Sequence, residues 1–67
     1  MKLFFENSYK ERRIIAEVKD ENEALQKIKE FCNEHNFKIY YYRINKLGNT
    51  LEYDVGSHSE FFYLELK

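Results

Sequence analysis

At 67 residues, with 43% apolar and 34% charged side chains, the chain is sized for one small globular domain, which excludes a two-lobed enzyme with a cleft between domains. Eleven basic against twelve acidic side chains leave a net charge of -1, so neither the basic excess of a phosphate binder nor the acidic excess of a nucleic-acid mimic is present. A domain this short buries only ~60% of its unfolded surface. Cys32 is the single cysteine and no Cys/His cluster offers a zinc site, so association with another chain is the remaining way to add buried area.

No apolar run approaches the ~20 residues that span a bilayer. The opening Met1–Glu6 meets a charge too early for a signal-peptide core of ~7 to 15 apolar residues. The sequence therefore predicts a cytoplasmic chain with no membrane association, and a lone thiol suits a reducing compartment. Proline is absent and only two glycines occur, leaving no linker and no low-complexity tail.

Taken in order, Leu3 and Phe5 alternate with Lys2, Phe4 and Glu6 as a first strand, and Asn7 to Glu11 carries turn chemistry. Ile14, Ala16 and Val18 then alternate with Ile15, Glu17 and Lys19, so the first two strands form a hairpin. Lys10, Arg12 and Arg13, with Glu11 among them, read as its solvated loop. Ala24, Leu25, Ile28, Phe31, Cys32 and His35 form one stripe of 3.6-residue period, which predicts a helix. Asp20 caps its start with Glu23 reaching back, and Asn36 is a left-handed stop with Phe37 folding onto the last turn. Lys38 to Asn45, rich in Ile and Tyr, predicts a third strand, and Lys46 to Asn49 a turn. Leu51, Tyr53 and Val55 mark the fourth strand, Gly56 to Ser59 breaks the chain, and Glu60 to Leu66 is the last strand. The expected fold is α+β: one small antiparallel sheet, order β-β-α-β-β-β, with the single helix packed on one face.

Leu3, Phe5, Ile14, Ala16, Val18, Leu51, Tyr53, Val55, Phe62, Leu64 and Leu66 suffice to fill the space beneath that helix. The opposite phase should then be polar. It instead holds Phe4, Ile15, Phe61 and Tyr63, joined by Ile39 and Tyr41 or by Tyr40 and Tyr42 according to the phase of the third strand. Each large side chain left in water forgoes roughly 1.5–3 kcal/mol of burial. The expectation is a partner on this face, first a second copy of the chain, with a different protein as the other candidate. The plainer alternative is that some rings lie flat at the sheet edges with their hydroxyls in water. A one-residue bulge would exchange residues between the faces.

Asp54-Val55-Gly56-Ser57-His58-Ser59-Glu60-Phe61-Phe62 gathers the densest polar chemistry. Adjacent Ser57 and His58 on a turn cannot face one another as nucleophile and base, and no oxyanion loop is present. His58 with Asp54 or Glu60 is too sparse a ligand set for a metal. Gly56 suits positive φ, and Ser57 and Ser59 suit local turn hydrogen bonds. His58 and Glu60 are expected as partner contacts, His35 as a helix-end residue and Cys32 as a small buried one. The alternative function is a nucleic-acid module in which bases stack on Tyr40, Tyr41 and Tyr42 beside Arg43, which the balanced charge disfavours. No catalytic residue, cofactor or metal is expected, and the chain reads as non-enzymatic. The expected partner-binding set is Phe4, Ile15, Tyr41, His58, Glu60, Phe61 and Tyr63.

The opening Met-Lys-Leu-Phe-Phe-Glu, the Ile15–Val18 strand, the Phe31–Phe37 helix end and above all the Asp54–His58 stretch followed by Glu60-Phe61-Phe62 resemble a group of short phage and prophage proteins of Gram-positive bacteria. The likeness covers nearly the whole chain. It implies an accessory protein made inside a bacterial host, and such proteins often act by binding and blocking a host enzyme or defence component. It implies no catalytic residue.

Overall fold

The computed structural model describes residues 1–57 and 59–66. Its elements are β1 (Lys2–Glu6), β2 (Arg12–Glu17), α1 (Glu21–Glu34), β3 (Arg43–Leu47), β4 (Thr50–Asp54) and β5 (Phe61–Glu65). The five strands form one antiparallel sheet in the order β2-β1-β5-β4-β3. This is the expected small α+β fold, with the helix joining the two edge strands in sequence.

Local chemistry explains each boundary. Asn7 organises the first turn: its carboxamide oxygen accepts from the backbone N–H groups of Tyr9 (2.9 Å) and Glu11 (3.0 Å), and Lys10 takes the left-handed conformation at φ 66°. Asp20 caps α1 by accepting from the Glu23 N–H at 2.8 Å. The Glu23 carboxylate reaches back one residue further than a capping box requires, accepting from the Lys19 N–H at 2.8 Å. At the other end Asn36 is left-handed (φ 58°), Phe37 N–H donates to Cys32 O at 2.8 Å and Asn36 N–H to Asn33 O at 3.4 Å. Those two bonds make a Schellman motif, and they swing Phe37 back over the helix as its position after the cap predicts. There Phe37 stacks on Phe5 and His35, beside Phe31.

Ala24, Ile28, Phe31 and Cys32 of α1 cover Leu3, Phe5, Val18, Leu51, Tyr53, Val55, Phe62 and Leu64, and all are buried. The phase of β2 departs from strict alternation. Leu3 pairs with Ala16 but Phe4 pairs with Ile14, so one extra β2 residue bulges at this point. Ile15 is thereby turned toward the core and packs against it, while Ile14 is left 51% exposed. The expectation that Ile15 belongs to the second face and Ile14 to the core is therefore reversed. Arg12 and Arg13 lie within β2 rather than in the turn, and Arg13 sits over the Phe31 ring at 5.7 Å.

The third strand also differs. Lys38 to Tyr42 is outside it, and the strand is Arg43–Leu47, ending at the tight turn through Gly48 (φ 63°). The physical reason lies across the chain at Gly56. A donor bond from Tyr40 N–H to Val55 O (2.9 Å) draws the segment against the β4–β5 connection, out of the ladder it would otherwise extend.

Candidate protein-binding site

The second face of the sheet is not the open aromatic surface that alternation implies. Tyr63, expected to be exposed, is only 8% exposed. The Arg12 guanidinium lies 3.8 Å from the Tyr63 ring centre and is itself held by Glu6 Oε1, at 3.1 Å from Nη2 and 3.3 Å from Nε. The Tyr63 hydroxyl donates to Glu52 Oε2 at 3.0 Å, and Glu52 Oε1 accepts from Asn45 Nδ2 at 3.2 Å. One residue from every strand thus joins a chain across the face, Glu6–Arg12–Tyr63–Glu52–Asn45. A guanidinium over an aromatic face is attracted by the ring and also excludes water from it. Phe4 and Phe61 beside this chain are half-buried. Tyr63 is accordingly a structural residue, and this face carries less free apolar surface than the sequence implies.

Burial first, then the hydrogen bond to Glu52 and the carboxylates of Glu52 and Glu6, push the Tyr63 hydroxyl up to about 12 against the opposing pull of Arg12. Burial likewise raises Tyr53 and Tyr42. The folded protein keeps protons that an unfolded tyrosine releases near pH ~10. The contribution to stability is therefore complete below that value and is lost as pH rises toward the folded pKa. Urea midpoints should fall through this alkaline range, and the fall should be shallower in Tyr63→Phe.

Tyr9 and Ile14 apart, the exposed large apolar side chains of the described residues have gathered elsewhere. Phe37, Tyr40, Tyr41, Tyr42, Ile44 and Leu47 are all exposed, Tyr40 by 65%, Tyr41 by 46% and Ile44 by 47%. They occupy one stretch that leaves the helix, crosses to the sheet and runs along its β3 edge. Beside it lies an open groove of about 880 Å³, with Phe37, Tyr40, Tyr41, Val55 and Phe62 among its lining residues. Among the described residues its charged lining side chains are Lys38 and Glu60, opposite in sign.

Val55, Gly56, Ser57 and Glu60 build the far wall. Asp54 Oδ1 accepts from Gly56 N–H at 2.9 Å, and Gly56 adopts φ 93°, a conformation open to glycine. A Cβ there would lie 2.7 Å from Tyr40 Cβ and 3.2 Å from Tyr41 Cε2, so the missing side chain is what lets the tyrosines approach. Ser57 Oγ donates to Glu60 Oε1 and accepts from Glu60 N–H at 3.2 Å, and Ser59 Oγ donates to Glu60 Oε2 at 2.8 Å. Both serines therefore serve the Glu60 carboxylate. His58 lies outside the described residues. Among the described residues no group of three His, Cys, Asp or Glu could hold a metal ion, and no helix is long and apolar enough to cross a membrane.

Of the expected contact residues, Tyr41 and Glu60 come together at the groove, Phe4 and Phe61 stay half-buried on the sheet face, and Ile15 and Tyr63 are taken up by the fold. Phe37, Tyr40 and Gly56 belong to the groove and were not among them. The positive-φ reading of Gly56 was the signal that could have located them. Set against protein-family models, curated proteins and solved structures, the chain matches none.

Proposed function

We propose that this chain is a non-enzymatic binding protein that acts by protein–protein association, as a homodimer, and that the groove beside Tyr40 and Tyr41 receives an apolar segment of a host protein. The observation that carries this reading is the collection of six of the eight exposed large apolar side chains among the described residues into the single stretch from Phe37 to Leu47, next to a groove of that size. Lys38 and Glu60 cancel one another there, which favours a neutral apolar occupant over a charged one. The resemblance to phage proteins supports a target in the bacterial cytoplasm, such as a host enzyme or defence component whose action is blocked.

The test begins with retention of bacterial proteins on the immobilised chain and continues with the purified, identified target. Tyr41→Ser should weaken target binding by at least about tenfold, because anchoring aromatic residues dominate such interfaces. Ile14→Ser on the far edge should leave it unchanged. Equal binding by both variants would contradict the reading.

A second reading has one specific observation in its favour. Lys38 Nζ lies 5.0 Å from the Tyr40 ring centre and Arg43 Cζ 5.5 Å from that of Tyr41, so exposed rings alternate with cations as on a base-stacking surface. This reading requires binding of single-stranded DNA or RNA that declines steeply with salt.

A further inference from the structure

The sheet has two edges, and they differ. Both edges bear charged side chains, but the β2 edge is also kinked by its bulge, which discourages further pairing. The β3 edge is regular against β4 over all five residues, Arg43 to Leu47, and every one is exposed.

Hydrogen-bond alternation determines which backbone groups that edge presents. Leu66 N–H donates to Asn49 O, so alternate residues of β4 counted from Asn49, namely Leu51 and Tyr53, bond toward β5. Thr50, Glu52 and Asp54 therefore bond toward β3, to Leu47, Asn45 and Arg43. The N–H and C=O groups of Ile44 and Lys46 point away from the sheet.

We propose that a second copy of this chain adds its β3 to this edge, antiparallel about a two-fold axis, with Ile44 opposite Ile44 of the second copy. The inference rests on the association reading above and specifies its homodimer. Register follows from charge. Centred on Ile44, the pairing sets Arg43 against Asn45 within β3 and carries Lys46 and Leu47 past its start, beside the exposed Tyr42 and Tyr41. No like charges oppose, and the exposed Ile44 side chains of the two copies meet across the seam. One step along, Ile44 faces Lys46 and Arg43 faces Leu47, placing a charge on each apolar residue. The next registers on either side set Lys46 against Lys46 or Arg43 against Arg43. The result is a continuous ten-stranded sheet, five strands from each copy.

Two measurements test this. Wild-type protein should sediment as a dimer at high micromolar concentration, and Ile44→Arg, which brings two guanidinium groups face to face, should raise the dissociation constant at least about tenfold. In a Cys32→Ala background, Ile44→Cys should form an intermolecular disulfide on oxidation, because directly opposed residues of a hydrogen-bonded pair lie about 5.5 Å apart at Cα. Asn45→Cys should crosslink far less. A wild-type monomer, or faster crosslinking at Asn45 than at Ile44, overturns the proposal. A monomer that still binds a host protein through Tyr41 would remove this dimer alone. A crosslinked dimer with no groove-dependent target would remove the function reading alone.

Discussion

Phe62→Ala is expected to remove most of the stability of the domain. Phe62 is fully buried in β5, packed against Phe5 at a ring separation of 5.3 Å and edge-on to Phe31 at 5.6 Å. It is also among the residues lining the groove. Truncating a buried phenylalanine costs about 3–5 kcal/mol through lost transfer energy and the cavity left behind. A chain of this length has roughly 3–10 kcal/mol to lose, at ~0.05–0.15 kcal/mol per residue. Urea unfolding followed by circular dichroism should show a transition displaced to very low denaturant, or no cooperative transition. Phe62→Leu, which keeps most of the volume, should retain a clear one. A Phe62→Ala midpoint close to wild type would mean that the helix and sheet are not packed through this ring.

Gly56→Ala should cost about 2–4 kcal/mol, from two sources that can be separated. The φ of 93° is unfavourable for any residue with a side chain, at about 1–2 kcal/mol. In addition the new Cβ would sit 2.7 Å from Tyr40 Cβ and 3.1 Å from Tyr40 Cδ2, so the tyrosine must move. Tyr40→Gly removes the two closest contacts, leaving the 3.2 Å approach to the Tyr41 ring edge and the first source. The double-mutant cycle between Gly56→Ala and Tyr40→Gly should therefore show a favourable coupling of at least about 1 kcal/mol. Gly48→Ala provides the comparison: its φ is 63°, and a Cβ there meets nothing within 4 Å, so it should lose only the conformational part. Additive effects at positions 40 and 56 would show that the close approach is not part of the folded state.

The helix was legible because several independent signals coincide between Asp20 and Phe37. The apolar stripe, the capping aspartate and the left-handed Asn36 each depend on residues near in sequence, and each is found where the pattern puts it. The first hairpin was legible for the same reason, with Asn7 carrying the turn. What sequence alternation could not give was the phase of β2. Ile14 and Ile15 are adjacent and alike, so nothing local says which one faces inward, and a bulge decides it.

Long-range pairing accounts for the remaining differences. Ile39 to Tyr42 has strong strand composition, yet the segment is held by Gly56, Val55 and a backbone bond from Tyr40. Tyr63 reads as an exposed ring until the register shows that Arg12 and Glu6 are near neighbours of it across the sheet. The surplus of apolar side chains inferred from composition is present. Its place is the crossing segment and the β3 edge rather than the sheet face, because the face is closed by Arg12 and the hydrogen-bonded row through Tyr63 and Glu52.

The proposed surface of association is the stretch from Phe37 to Leu47. An amide-resolved NMR dilution series tests it most directly, because it locates self-association residue by residue. On raising the concentration, resonances of Tyr41, Tyr42, Ile44 and Lys46 should shift together, and the outward-facing Ile44 and Lys46 amides should slow in hydrogen exchange, while those of Arg12 and Ile14 stay constant. Spectra that do not change with concentration, or changes confined to the β2 edge, would contradict the account.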